Sequence, residues 1–205
     1  MNRHMFNSVL VLSPHTDDGE LGAGGTIAKL IENGSKVKYF AFSAPREILK
    51  KECKKCLEVL GVKKFGIFDF RVRRFPENRQ EILEILFECD KENEIDLILT
   101  PSTNDLHQDH QTVTNEALRA FKRSTILGYE LPWNNIVFRE NCFIALEEKH
   151  VQKKIEALWN YKTQISQRQY FDKEYLRGLT RSRGAQIGEK YAEAFEAIKL
   201  VLNSF

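Results

Sequence analysis

A short, continuously apolar run, Val9-Leu10-Val11-Leu12, closes on Ser13-Pro14 and leads through a polar segment into helix-spaced apolar residues. That order is the strongest constraint on how the chain can fold. Four apolar residues without alternation fit a strand buried on both faces. The order recurs: residues 37–42 form a second strand-like run, and residues 47–60 place Ile48, Leu49, Cys56, Leu57 and Leu60 on one helical stripe before Gly61. A strand over 65–70, a helix over 77–90 and a strand over 95–100 continue the alternation. The expectation is an α/β fold, a single Rossmann-like domain over residues 1–205 with a mostly parallel sheet flanked by helices. Such sheets hold ligands beyond the carboxyl ends of their strands, so the segments after Leu12 and after Leu99 should share one edge and form the active site there.

In detail, Gly22, Gly24 and Gly25 are expected to punctuate a loop, with Thr26 opening a short helix that carries Ile27, Leu30 and Ile31 and stops at Gly34. A helix beyond Asp109 should run through Leu118 and Phe121, strands should occupy 126–129 and 136–138, and a helix 151–159. Residues 180–188 read as irregular, and 194–202 fit both the helix and the strand template. No internal repeat or low-complexity linker marks a second domain.

Charge narrows the function classes. Lys plus Arg total 31 against 29 Asp plus Glu, a net +2, far from the basic balance of a dedicated nucleic-acid binder. No segment approaches the ~18 to 20 apolar residues of a membrane span, and the run at residues 9–12 is too short for a signal-peptide core. Cys53, Cys56, Cys89 and Cys142 then read as reduced thiols, and the expected location is the cytoplasm. The oligomeric state stays open, a homo-oligomer included.

Two fragments carry the chemistry: Pro14-His15-Thr16-Asp17-Asp18-Gly19-Glu20 and Asp105-Leu106-His107-Gln108-Asp109-His110. Histidine with carboxylate is a ligand set for zinc, and a catalytic zinc uses three protein ligands and keeps one position open. The same donors accept iron, cobalt, nickel or manganese. The competing reading is a pair of solvated turns with helix-capping aspartates. Two such fragments at the ends of two strands that a parallel sheet can bring together favour one joint site.

These residues also carry a resemblance. His15-Thr16-Asp17-Asp18-Gly19-Glu20 and His107-Gln108-Asp109-His110 resemble the His-Pro-Asp-Asp-x-Glu and His-Pro-Asp-His motifs of the PIG-L/LmbE-like zinc-dependent de-N-acetylases, with both prolines replaced. Gly24-Gly25, residues 52–61, residues 98–101 and Tyr191-Ala192-Glu193-Ala194-Phe195 extend it over most of the chain. Some members carry an arginine three residues before the glutamate matching Glu52, where this chain has Leu49, with Arg46 close by but out of register.

The resemblance implies that His15, Asp18 and His110 hold one zinc and that Asp17 is the general base, acting on an N-acetylated amino sugar or its conjugate. Chemistry agrees, because zinc brings the pKa of its water near neutrality and an adjacent carboxylate can take the proton. His107 is then expected to support the oxyanion as an imidazolium, and Asp109 to hydrogen-bond His107 or a ligand histidine. Asp105 and Glu20 are expected to shape the loops or touch substrate, with a turn or helix-capping role as the alternative for each. Two rivals stand beside this reading: a metal-dependent phosphoesterase, which calls for two metals, and a non-catalytic sugar- or metal-binding module, which has no use for a spare base at Asp17.

Other features point less clearly. Cys53-Lys54-Lys55-Cys56 has metal or redox spacing but lies in a helix pattern without a second pair, so packing is expected. Arg71-Val72-Arg73-Arg74 reads as an anion contact or as solvated surface. Trp133 reads as a sugar platform or as loop packing. His4 and His150, outside the two motif fragments, read as incidental, and Arg181, Arg183 and Gly184 fall in the irregular late segment, a candidate cover for the site.

Overall fold

The computed structural model of the chain describes residues 6–92 and 94–201, which leaves His4 outside. Seven strands, β1 (Ser8–His15), β2 (Lys36–Ser43), β3 (Lys64–Ile67), β4 (Leu97–Pro101), β5 (Thr125–Tyr129), β6 (Cys142–Leu146) and β7 (Tyr191–Lys199), form one sheet in the order β3-β2-β1-β4-β5-β7-β6. The first five in that order are parallel, β7 joins β5 antiparallel, and β6 pairs antiparallel with β7. The helices are α1 (Asp18–Glu32), α2 (Glu47–Leu60), α3 (Arg79–Glu92), α4 (Gln108–Ala120), α5 (Glu148–Leu158), α6 (Lys162–Ile165) and α7 (Lys173–Ala185), with a 3-10 turn at Phe75–Asn78 before α3.

The apolar run that opened the argument is the centre of the sheet. Val9, Leu10, Val11 and Leu12 are fully buried because β1 lies between β2 and β4 and both faces are covered. Successive side chains take opposite faces. Val9 and Val11 pack with Tyr39, Leu97, Leu99, Ile27, Leu57 and Ile155, whereas Leu10 and Leu12 pack with Phe40, Phe42, Ile98, Ile82, Leu86 and Val113. The chain runs from β1 outward to β3 and then returns to β4 on the other side, so the direction of winding reverses between β1 and β4. The crevice beyond the carboxyl ends of those two strands is where such sheets bind ligands.

Several elements depart from the sequence expectation. The first helix begins at Asp18 rather than Thr26, and its glycines are contact surfaces rather than loop punctuation. A Cβ on Gly22 would stand 2.3 Å from the Tyr129 ring, and one on Gly25 2.5 Å from Leu146. The helix kinks at Ala23 (φ −137°, ψ 16°). Just past the kink the Gly25 and Thr26 N–H groups donate to the Glu193 carboxylate at 3.0 and 2.7 Å, and Lys154 donates to Glu193 Oε1 at 2.7 Å. Removing one partner of a pair this deeply buried costs about 3–5 kcal/mol. Glu193→Ala is therefore expected to lose that much in a urea titration, and Lys154→Met combined with Glu193→Gln to recover most of it. A loss below about 1 kcal/mol for the single variant would show that the helix does not need this cap.

No strand forms over 136–138: Ile136 and Val137 are 85% and 62% exposed, and it is the next segment, β6, that finds the open edge of β7. Of 194–202, the part through Lys199 is strand, drawn out between β5 and β6, and residue 202 lies outside the described residues. β3 stops at Ile67, with one further bridge between Ser43 and Asp69. Pro76 favours the 3-10 turn, so the helix expected from 77 starts at Arg79. The late segment read as irregular is helical through Ala185, which places Arg181, Arg183 and Gly184 in α7. Arg183 pairs with Glu130 and Glu140 there, and Gly184 packs against the Tyr191 backbone. No helix among the described residues is long and apolar enough to cross a membrane.

Candidate metal centre

Strand β1 ends on His15, Asp17 occupies the N-cap position of α1, and Asp18 is that helix's first residue. Beyond β4 the chain turns at residues 102–106, and His107 caps α4: its Nδ1 accepts the Asp109 N–H at 3.2 Å. Asp109 and His110 thereby sit in the first turn of a helix. The two motif segments meet at the switch point, as the parallel register of β1 and β4 requires.

Three side-chain donors form a nearly regular triangle. His15 Nδ1 lies 3.1 Å from Asp18 Oδ2, His110 Nε2 lies 3.2 Å from the same oxygen, and the two ring nitrogens are 3.2 Å apart. Zinc bonds of about 2.0–2.2 Å in a tetrahedron separate donors by about 3.3–3.5 Å. The remaining nitrogens are occupied: His15 Nε2 faces Asp109 Oδ2 at 3.1 Å, and His110 Nδ1 faces Asp105 Oδ2 at 2.8 Å. When the rings are neutral and the outer N–H groups are given to carboxylates, the inner nitrogens present lone pairs to one another, an arrangement that a cation relieves. The donor set therefore fits a single divalent metal. His107 also offers a nitrogen within 4.8 Å of ligand atoms of His15 and His110, but the triangle with Asp18 is tighter.

The electrostatics have the same sense. Burial alone would depress His15 and His110, yet the Asp18 carboxylate, helped by Asp109 on His15 and by Asp105 on His110, lifts them to about 9 and about 10. Burial works against the charge on Asp18, but the two histidines hold its carboxyl well below the ordinary range. Asp17 is different. Burial and the neighbouring Asp18 charge raise its carboxyl to about 7.

The raised histidines stabilise the metal-free fold below their ordinary 6.5, and that contribution is lost as pH climbs through about 9 to 10. A metal competes with those protons for the same nitrogens. The expected result is a zinc-induced rise in melting temperature that is small at pH 6 and larger at pH 8. A larger rise at pH 6 would contradict the ligand assignment.

Two expectations need correction. His107 is not held as an imidazolium, because burial and the neighbouring His110 and His15 lower its pKa, and the carboxylate expected to support it stands 3.9 Å away. Of the two partners expected for Asp109, it takes the histidine of the other motif, His15, and the Arg73 and Phe75 N–H groups fix it at 2.6 and 3.2 Å. His150 is not incidental either: it is buried, bonds Glu32 at 2.6 Å and caps α5 reciprocally with Glu147. Glu32, Glu147 and His150 form a second group of potential donors, but Lys149 already pairs with both glutamates, and the role is helix capping.

Other residues form the surround. Asp105 does more than shape its loop, since one oxygen holds His110 and the other accepts the His107 N–H at 2.8 Å. Glu20 is buried and accepts from Tyr39 and Tyr161, and Tyr161 also donates to the Thr16 carbonyl, so α1 is tied down directly behind the aspartate pair. No sequence pattern pointed to Tyr161. Trp133 stacks on Tyr170 (3.7 Å, 10°), and its turn is laced to the metal loop by Leu106 N–H donating to the Asn134 carbonyl. Cys53 and Cys56 are fully buried in α2 as free thiols and pack the core. Arg46 is exposed at the start of α2.

The sequence profile of the family described as PIG-L, GlcNAc-PI de-N-acetylase, matches residues 10–121. A diacetylchitobiose deacetylase from Thermococcus kodakarensis is 26% identical over 222 residues, covering 93% of this chain and 82% of the relative. A probable N-acetyl-alpha-D-glucosaminyl L-malate deacetylase 2 from Bacillus cereus is 31% identical over 147 residues, covering 60% and 63%. Among solved structures, a 4-carboxy-2-hydroxymuconate hydratase from Pseudomonas putida KT2440 superposes with a TM-score of 0.81 at 18% identity, covering 97% of this chain and 99% of the other. That last likeness is one of fold, and it shows that the fold alone does not choose the reaction. The matched stretch takes in more than half of the chain and both histidine motifs, and the chain belongs to the PIG-L family.

Proposed function

We propose that this chain is a metal-dependent hydrolase that removes the acetyl group from the nitrogen of an amino sugar or its conjugate. The observation that carries this reading is the donor triangle with a second aspartate beside it: Asp18 faces the two histidines, while the Asp17 carboxyl makes no capping bond to α1 and is raised to about 7. His15, Asp18 and His110 would hold one zinc or a similar divalent ion. When bound, the ion supplies Lewis acidity toward the amide carbonyl and acidifies water at the site.

The chain's own groups do the rest. Asp17 takes a proton from the attacking water as the new carbon–oxygen bond forms, and a carboxyl near 7 is matched to that task at neutral pH. It returns the proton to nitrogen as the carbon–nitrogen bond breaks, giving acetate and the free amine. His107 accepts the Asp109 N–H on Nδ1, so in its neutral form its proton resides on Nε2, available to the carbonyl oxygen as charge builds there. Asp105 and Asp109 keep both ligand rings in the tautomer that binds metal.

Two relatives named as deacetylases of N-acetylated sugars support the substrate class. The buried Cys53 and Cys56 thiols suit a reducing compartment, and we place the protein in the cytoplasm. The test against a phosphoesterase is metal stoichiometry. One equivalent per active chain is expected, and two equivalents with phosphate-ester turnover would replace this reading by its rival.

A further inference from the structure

The turn at residues 71–74 is built against its own backbone preference. Arg74 N–H donates to the Arg71 carbonyl at 3.0 Å, and Arg73, in the third position, has φ 65°, the one positive φ at a non-glycine among the described residues. Turns of this kind favour glycine or asparagine there, because a larger side chain crowds the backbone. The turn's backbone work is clear: Arg73 N–H donates to Asp109 Oδ2 at 2.6 Å, that oxygen stands 3.1 Å from His15 Nε2, and the buried Phe75 ring lies 6.0 Å from the His15 ring. A glycine at 73 would offer the same N–H without strain, so the backbone contact does not account for an arginine. Strain retained beside a functional site points to use of the side chain.

The charges agree. Arg71 and Arg73 are exposed, and among the described residues neither guanidinium meets an acceptor, whereas their neighbours are neutralised, Arg74 by Glu77 and Lys50 by Asp69. Arg168, exposed in the segment before Tyr170, also acts electrostatically on Asp17 and lowers its pKa. One carboxylate therefore separates the Arg73 backbone from His15, and among the described residues the Arg71 and Arg73 charges have no paired carboxylate.

Resting on the deacetylase reading above, we propose that Arg71 and Arg73 form an anion-binding rim that selects N-acetylated sugars bearing a carboxylate or a phosphate. Guanidinium groups suit that task because their planar donors engage either oxyanion in pairs. The neutral disaccharide is then the poorer substrate.

The test uses the zinc-loaded full chain and three matched compounds: a neutral N-acetylglucosamine glycoside, the glycoside of a hydroxy acid, and the 1-phosphate. Wild type should favour an acidic compound by about 10- to 100-fold in kcat/KM at low salt, and the better of the two identifies carboxylate or phosphate. Arg71→Gln with Arg73→Asn, which suits the left-handed turn, should cut that preference to within about twofold while raising the melting temperature. Calorimetric binding of the acidic compounds should weaken in parallel. Equal acetate release from all three by wild type, or a preference kept by the double variant, overturns the rim and leaves deacetylation standing. Arginine-dependent binding of acidic sugars without any acetate release overturns deacetylation and leaves the rim.

Discussion

Asp17→Asn is expected to lower kcat by about 10²- to 10⁴-fold while the protein keeps a full complement of metal. The effect is large because the other aspartates of the two motifs are already engaged. Asp18 is held between two histidines, Asp105 between His110 and the His107 N–H, and Asp109 between His15 and two backbone N–H groups. The same substitution should not destabilise the protein. A carboxyl raised from 3.8 to about 7 disfavours the fold increasingly as pH rises between those values, and that penalty is complete above about 7. Asparagine removes it, so the metal-free variant should melt no lower than wild type at pH 8. Steady-state acetate release together with metal analysis separates the outcomes: wild-type turnover with full metal would remove Asp17 from the mechanism, and lost metal would make it a ligand.

The second large effect is His110→Ala. Its Nε2 is one corner of the triangle, and the ring is 1% exposed. Loss of an outer partner of a ligand costs about 10- to 100-fold in metal affinity. Removal of the ligand itself should exceed about 100-fold and abolish turnover with it. Asp105→Asn is the matched control, expected within the smaller range because the ring remains but loses its carboxylate. Competition with a chromogenic chelator measures both. Equal affinities for the two variants would mean that His110 does not bind the ion.

The parts of this site that were legible in the sequence are those carried by contiguous residues. His15, Asp17 and Asp18 follow a strand that declares itself by four unbroken apolar positions, and His107 to His110 follow another, so the parallel register alone brings the two sets together. What escaped is what depends on distant partners. The helical start at Asp18 was hidden by Gly22 and Gly25, which look like loop residues until Tyr129 and Leu146 are seen pressing on them. Strand β6 was missed in favour of residues 136–138 because hydrophobicity does not reveal which segment will find the free edge of β7. The preference of residues 194–199 for strand over helix was settled only by insertion between β5 and β6.

The partner of Asp109 was left open in the sequence for a related reason. A carboxylate two residues from His107 could serve that ring or a ligand histidine, and the first turn of α4 directs Asp109 toward His15, where the Arg73 and Phe75 backbone holds it. Residues 71–75 gave no sign of this in sequence, since their contribution to the metal site comes through N–H groups that any residue but proline possesses.

Acetate release by the purified protein from N-acetylated amino sugars, with and without one equivalent of zinc, tests the account most directly. The prediction is stoichiometric acetate and free amine from at least one such sugar, loss of the activity after chelation, and its return when zinc reaches one per chain. A protein that carries one zinc per chain and releases acetate from none of them would contradict it.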